Sequence, residues 1–305
     1  MNNNKVLNEF HFLSKIINST IEYWPKHKTS IDRLIISLKK NNMINFADNM
    51  SEEILKIIGP NLISFIKSYK LMCINMISSE IYFRKNKKYN MSSTNEVYKK
   101  LYSNTDLMES YMNGLLLAHV LWFHHIIPYN TFLNKFLPIL PDNYKYLEIG
   151  PGHGLSLSRA SNDSRSSYIV GWDISEESIK QTYKNNKILG GDKINLFVKD
   201  ISSKVSSNNS YLFDGIVVNQ VLEIVNDPIL TLSNIYSLLA KNGKVFITSP
   251  VQSSAPDHIR RWNSKEDIFD LLRSSGLNIN FFDETHQNQK LKNDALSLTI
   301  IASKD

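Results

Sequence analysis

From Asn143 onward the chain alternates short apolar runs with stretches of helical period, and this alternation restricts the fold more than any other feature. The runs are "YKYLEIG", "SYIVGWD", "INLFVKD", "FDGIVVN" and "GKVFITSP". Nearly continuous apolar strands joined by helices imply a parallel sheet covered on both faces. The intervening helices have readable ends. Ser175 caps "EESIKQTYKNNKIL". Asp227 and Pro228 open "ILTLSNIYSLLA", and Gly243 is expected to stop it. Ser264, with Asp267 three residues on, makes a capping-box start for "EDIFDLLRSS". Two last strands, "LNINFF" and "ALSLTIIAS", have only a polar connection between them and suit an antiparallel pair at one edge.

Residues 1 to 140 have a different grammar. Apolar residues recur at three- and four-residue spacing in "NEFHFLSKIINSTIEYW" and "SIDRLIISLKK". "GPNLISFIKSYKLMCINMISSEIYF" predicts a helix with Pro60 at its first position. "TDLMESYMNGLLLAHVLWFHHII" predicts one long helix, with Asp106 near its start and Pro128 past its end. The segment 85–95, "KNKKYNMSSTN", is the expected loop, and the basic run "RKNKK" at 84–88 is assigned to it. The expected organisation is therefore an all-α domain over 1–140 and an α/β domain over 141–305.

Several classes fall away on composition. With 42% hydrophobic and 21% charged residues the chain matches a globular protein with a sizeable core. "MNNNKVLNEF" lacks the apolar segment of an export signal, and "GLLLAHVLWFHHIIP" is shorter than a membrane span, so a soluble, cytoplasmic protein is expected. The single cysteine, Cys73 in "LMCINMI", excludes a disulfide framework and multi-cysteine zinc sites, and reads as a core thiol. Residues 1–140 hold 17 lysines and arginines against 10 acidic residues, whereas 141–305 hold 18 against 19. A solvated lysine-rich surface accounts for this excess; attraction of an anionic substrate or a nucleic acid is the sharper alternative. "RKNKK" has no interleaved aromatics, which argues against a nucleic-acid surface.

Between the first strand and the first helix of the α/β half stands "EIGPGHG". Gly150, Gly152 and Gly154 allow unusual dihedrals and a close ligand, and the helix beyond offers free N–H groups. Their G-x-G-x-G spacing places the third glycine one position before that of the dinucleotide fingerprint, and Pro151 stiffens the turn. Each following strand ends on a polar residue. Asp173 comes 19 residues after Gly154 and can accept both ribose hydroxyls of an adenosine. Asp200 can accept from an adenine amine, with Ile201 against the ring. Asn219 and Gln220 stand beside the reaction centre. Glu148 can orient the loop or a ligand's ammonium group. Any one of these could be a helix cap or a tight turn. Their order along one sheet edge points to a ligand. A nicotinamide enzyme is the alternative that Asp173 alone would suit.

The same residues resemble the class I S-adenosylmethionine-dependent methyltransferases. "LEIGPGHG" is similar to their first motif, "GWDIS" to the acidic second and "VKDIS" to the adenine motif. "FDGIVVNQVLEIVNDP" is similar to the fourth-strand motif, and "LLAKNGKVFITSP" to the helix and strand that follow. The resemblance covers about 141–305. It implies a Rossmann-like fold of seven strands, mostly parallel with the last reversed, and S-adenosyl-L-methionine as cofactor, leaving S-adenosyl-L-homocysteine. By similarity Gly150, Gly152 and Gly154 wrap the methionine part, Asp173 holds the ribose and Asp200 the adenine. Pro151, Ile174, Ile201, Asn219 and Gln220 are further members of the expected cofactor set, with Glu148 and Tyr111. Members that methylate nucleic-acid bases carry [N/D/S]-P-P-[Y/F] after strand four; here that place reads "NQVL". This argues against base methylation.

By the same resemblance, the helical half is expected to be a cap over cofactor and substrate, as members acting on small molecules often carry extra N-terminal helices in that place. Tyr111 is expected near the cofactor, and Trp122 and His125 in the substrate wall, because 111, 115, 118, 122 and 125 share one helical face. Core packing is the plain alternative. His124 and His125 are adjacent on a helix and point apart, so no metal is expected. After strand five, "SSAPDHIRRW" offers His258 as general base, since imidazole titrates near neutrality. Arg260, with Arg261 and Trp262, suits a carboxylate or phosphate. Glu223 is a weaker candidate for substrate contact, and His153 is expected to point away. These features favour methyl transfer to a small-molecule acceptor, as in secondary-metabolite biosynthesis. A protein or RNA methyltransferase docking through its basic half, and a non-catalytic binding protein, are the other readings. The long apolar helices could also form a homodimer.

Overall fold

The computed structural model describes residues 9–191, 193–203, 212–286 and 295–304. Most of the stretch read as lacking an export signal, and the polar connection between the last two strands, lie outside the described residues. The helical part contains α1 (His11–Tyr23), α2 (Lys28–Lys40), α3 (Ile44–Ile58), α4 (Leu62–Asn86), the short α5 (Thr94–Val97), α6 (Thr105–Leu121) and α7 (Phe123–Thr131). The sheet part follows as β1 (Tyr144–Ile149), α8 (Leu155–Ser161), β2 (Ser166–Asp173), α9 (Glu176–Ile188), β3 (Ile194–Val198), β4 (Phe213–Asn219), α10 (Pro228–Leu238), β5 (Leu239–Val251), α11 (Lys265–Ser274), β6 (Asn278–His286) and β7 (Leu296–Ser303).

The strands form one sheet in the order β3-β2-β1-β4-β5-β7-β6, with β7 antiparallel to both neighbours and the others parallel. Side chains alternate between its faces. Tyr146, Val217, Phe246 and Ile301 face the helical half and share a continuous core with Leu13, Ile54 and Tyr69. Leu147, Ile216, Val218, Ile247 and Ile300 face the opposite way, against Leu232 and Ile235 of α10 and Ile268 and Leu272 of α11. The strand order reverses between β1 and β4. That crevice, at the carboxyl ends of the strands, is where open α/β sheets bind ligands.

The caps at Ser175, Asp227 and Ser264 are all present, each side chain accepting a backbone N–H in the first turn of its helix. Other boundaries differ from expectation. Gly59 leaves α3 with φ 57°, so Pro60 is spent in the turn and α4 starts at Leu62. That helix continues to Asn86, so Arg84 and Lys85 belong to its last turn rather than to the loop. α10 ends at Leu238, before Gly243, which instead lies within β5. The long helix expected over 105–127 is two helices. Trp122 is extended (φ −119°, ψ 118°), and its N–H caps Ala118 while its carbonyl accepts from His125 and Ile126. Its indole N–H donates to the Tyr69 hydroxyl at 2.8 Å, which anchors the break. Pro128 therefore lies inside α7 rather than past its end. No helix among the described residues is long and apolar enough to cross a membrane.

Candidate functional site

The glycine turn after β1 is built as the sequence requires. Gly150, Gly152 and Gly154 have φ of 67°, 57° and 77°, in the left-handed region that side chains avoid. A face of α9 secures the turn. The Thr182 hydroxyl donates to the Gly152 carbonyl at 2.8 Å, and the Asn185 amide to the His153 carbonyl at 3.0 Å. Gly154 lies so close to α9 that a Cβ would stand 3.1 Å from the Thr182 Cα. Gly154→Ala is expected to cost roughly 2–4 kcal/mol, from the left-handed penalty and overpacking together. Thermal denaturation checks this; an unchanged midpoint would contradict it.

A single cavity of about 1220 Å³ opens over this turn. Its floor takes in Glu148, Gly150, Pro151, Gly152, Asp173 and Ile174. Asp200, Ile201, Asn219 and Gln220 line it further along the sheet edge. Asp173 Oδ2 accepts from the Ser178 hydroxyl at 2.5 Å and Oδ1 from the Ser175 N–H at 2.9 Å, while burial pushes its carboxyl up from the ordinary value. Glu148 is buried, and its carboxyl is pushed up to about 8 against the opposing hydrogen bonds of Tyr146 and Asn219. Gln220 and Gln252 follow β4 and β5 with φ of 56° and 53° and both line the cavity. Non-glycine residues in this region cost about 1–2 kcal/mol each. Such strain concentrates at functional sites.

The helical half closes over the strand tips through a strap between α4 and α6. The Tyr89 hydroxyl donates to the Ser253 carbonyl at 3.1 Å. Thr94 donates its N–H to Asn226 Oδ1 at 2.9 Å and its hydroxyl to the Ile224 carbonyl at 2.8 Å. The Tyr102 carbonyl accepts from the Ser175 hydroxyl at 3.0 Å. Tyr102 and Tyr111 both donate to Asp257 Oδ2, at 2.9 and 3.0 Å. Burial, then the Asp257 charge, holds both phenols protonated as donors. The other oxygen, Asp257 Oδ1, is buried with no partner among the described residues, and so is Nδ1 of the neighbouring His258. The Tyr89 ring packs edge-on against His258 at 6.1 Å, and burial lowers the His258 pKa.

Histidines gather on the α6–α7 side. His153 Nε2 lies 3.2 Å from His119 Nδ1, and the His125 ring packs edge-on against His119 at 5.2 Å and His124 at 4.9 Å. Burial lowers His119 to about 4 and His124 to about 3, and also holds His125 and His153 well below the ordinary histidine value, so all four rings are neutral at pH 7. No group of three or more His, Cys, Asp or Glu side chains among the described residues is arranged to hold a metal.

A family model described as a methyltransferase domain matches residues 123–293. The chain belongs to the class I S-adenosylmethionine-dependent methyltransferases. S-adenosylmethionine is the cofactor of the methyltransferase, and the residues present fit it: a turn without Cβ atoms, carboxylates at successive strand ends, and a cavity joining them. The family match begins at Phe123, taking in α7. Among solved structures the chain is similar to the [4+2]-cyclase SpnF, at 15% identity over 59% of this chain and 80% of that one, with a TM-score of 0.49. It is similar to the N-methyltransferase NodS of Bradyrhizobium japonicum WM9 with bound S-adenosylhomocysteine, at 18% identity over 60% and 88%, TM-score 0.47. It is also similar to an S-adenosylmethionine-dependent methyltransferase of Methanosarcina mazei, at 20% identity over 56% and 97%, TM-score 0.46. No curated protein matches the chain.

Most residues expected at the methyltransferase site border this one cavity, including Tyr111, Trp122, His125 and His258. Three do not. Gly154 lies behind the turn, against α9. Arg260 turns outward and donates to the Asn226 carbonyl at 2.9 Å, while Arg261 takes the inward place, 3.6 Å from Glu80. Glu223 is wholly buried behind the wall, accepting from the Ser249 hydroxyl at 3.0 Å. His153 was expected to point away, yet it lines the cavity. Sequence reasoning missed Asp257 and Tyr102. The acidic residue beside His258 was a usable signal; nothing in the sequence singles out Tyr102.

Glu223 supplies a pH test of this placement. Burial raises its carboxyl from 4.5 to about 8, so the folded chain holds a proton that the unfolded chain loses. Its favourable contribution is complete below pH 4.5 and is lost as pH rises through about 8. The melting temperature is expected to fall between pH 6.5 and 8, and to fall less in Glu223→Gln. Parallel curves for the two proteins would contradict the buried, neutral carboxyl.

Proposed function

We propose that the methyltransferase transfers the methyl group of S-adenosylmethionine to a small-molecule acceptor held beneath its N-terminal helices. The observation that carries this reading is the roofed cavity. At about 1220 Å³ it exceeds the roughly 300–1,000 Å³ of a pocket for one ligand, leaving room for cofactor and acceptor together. Its roof brings Tyr102, Tyr111, Trp122 and Phe123 inward, as a cap would; a domain that docks a protein or RNA would leave an open cleft.

Residues 1–140 act as the cap and 141–305 as the cofactor-binding part. The glycine turn and Glu148 hold the amino-acid end of the cofactor, Asp173 the ribose, and Asp200 with Ile201 the adenine. The bound cofactor supplies an electrophilic methyl group on a sulfonium. The cap aligns the acceptor with it and excludes water, and alignment alone removes much of such a barrier. His258, neutral and with a free Nδ1, takes the acceptor proton. Asp257, fixed by two tyrosines, orients the acceptor through its free oxygen.

Incubation with methyl-labelled S-adenosylmethionine tests the reading. The label is expected to reach members of a panel of small aromatic and aliphatic acids and amines. Transfer to peptides or RNA alone would contradict it.

A further inference from the structure

Away from the sheet the cavity continues into a groove between α2 and α4. The two helices pack little against each other, each being held mainly by other elements. Each turns one stripe toward the space. α2 presents Arg33 and Ile36, and α4 presents Cys73, Ile77 and Ile81, all bordering the same cavity that reaches the glycine turn. Trp24, stacked on His27 at 4.3 Å, and Phe123 form the inner wall.

The outer wall is unusual for a protein surface. Ile36, Ile77 and Ile81 are 56%, 58% and 62% exposed. Single exposed apolar residues need no explanation, but contiguous ones along a cavity rim mark a binding surface. The charged side chains that α2 and α4 bring to the cavity are Arg33, Arg84 and Glu80, an excess of positive charge. Arg84 is engaged by Glu80 at 2.8 Å, whereas Arg33 makes no ion pair among the described residues. The helical half also carries the chain's basic excess.

We propose that the acceptor is an elongated amphipathic molecule whose alkyl body lies between α2 and α4 and whose anionic far end meets Arg33. Its nucleophilic end then lies inward, below Tyr111 and beside the loop of Asp257 and His258. This inference rests on the methyl-transfer reading and names the class of acceptor. The alkyl body buries the three isoleucines that the chain alone leaves in water. A carboxylate or phosphate at the outer end pairs with Arg33 without disturbing the Arg84–Glu80 pair.

The test uses the full chain saturated with S-adenosylhomocysteine, titrated with 11-(dansylamino)undecanoic acid and, separately, with its uncharged primary amide. Dansyl emission is expected to rise and shift to the blue as the probe enters the groove. Ile77→Glu and Ile81→Glu change exposed positions and are expected to weaken probe binding about tenfold or more while leaving S-adenosylhomocysteine affinity unchanged. Arg33→Gln is expected to weaken the carboxylate about fivefold and not the amide. Absence of probe binding to a chain that binds S-adenosylhomocysteine overturns the inference and leaves methyl transfer standing. So does binding that the two glutamate substitutions do not alter. Equal binding of acid and amide overturns the anionic end. Failure of the wild-type chain to bind S-adenosylhomocysteine overturns the underlying reading as well.

Discussion

His258→Ala is expected to lower turnover by about 10²–10⁴-fold while leaving S-adenosylhomocysteine affinity nearly unchanged. The ring borders the cavity on the loop after β5, its Nδ1 has no protein partner among the described residues, and the Tyr89 ring packs edge-on against it at 6.1 Å. Burial lowers its pKa, so the neutral, proton-accepting form persists below the ordinary histidine range. The rate should therefore stay level from neutral pH down through about 6.5, falling only in more acid solution. In the alanine variant that acid limb should disappear. Wild-type turnover in His258→Ala would remove the ring from the chemistry and leave Asp257 as the group on that loop to test.

Asp173→Ala is expected to weaken S-adenosylhomocysteine binding about 5–150-fold, the equivalent of roughly 1–3 kcal/mol for losing a charged hydrogen-bond acceptor. The carboxylate ends β2 on the cavity floor and is held in place by Ser175 and Ser178, so little ordering is left for the ligand to impose. Burial raises its pKa, so the surroundings disfavour the bare carboxylate, and hydrogen bonds donated by ligand hydroxyls would favour it. Unchanged affinity, measured by calorimetry on a variant with native melting behaviour, would count against the ribose assignment.

Much of the sheet was legible because its signals are local. Nearly continuous apolar runs, three capping residues and polar strand ends each sit within a few residues of what they specify, and the reversed β7 follows from two strands with no helix between them. The helical half was less legible because its breaks are tertiary. The apolar period runs unbroken through Trp122, and only the Tyr69 hydroxyl, 53 residues away, explains why the helix stops there. The same limit applies to side-chain direction in loops. Arg260 and Arg261 are chemically equivalent, and the fold chooses Arg261 for the cavity because Glu80 on α4 lies within its reach. His153 turned inward because His119 on α6 meets it there. Asp257 gains its place from two tyrosines more than 140 residues upstream, a relation that no spacing rule contains.

The most direct measurement is calorimetric titration of the purified chain with S-adenosylhomocysteine, with NAD as the parallel ligand, after any co-purified nucleoside has been removed and identified by mass spectrometry. Methyl-transfer function predicts saturable binding of S-adenosylhomocysteine at one site per chain and none of NAD. Binding of NAD alone would mean that the glycine turn serves a nicotinamide cofactor, and would contradict methyl transfer outright.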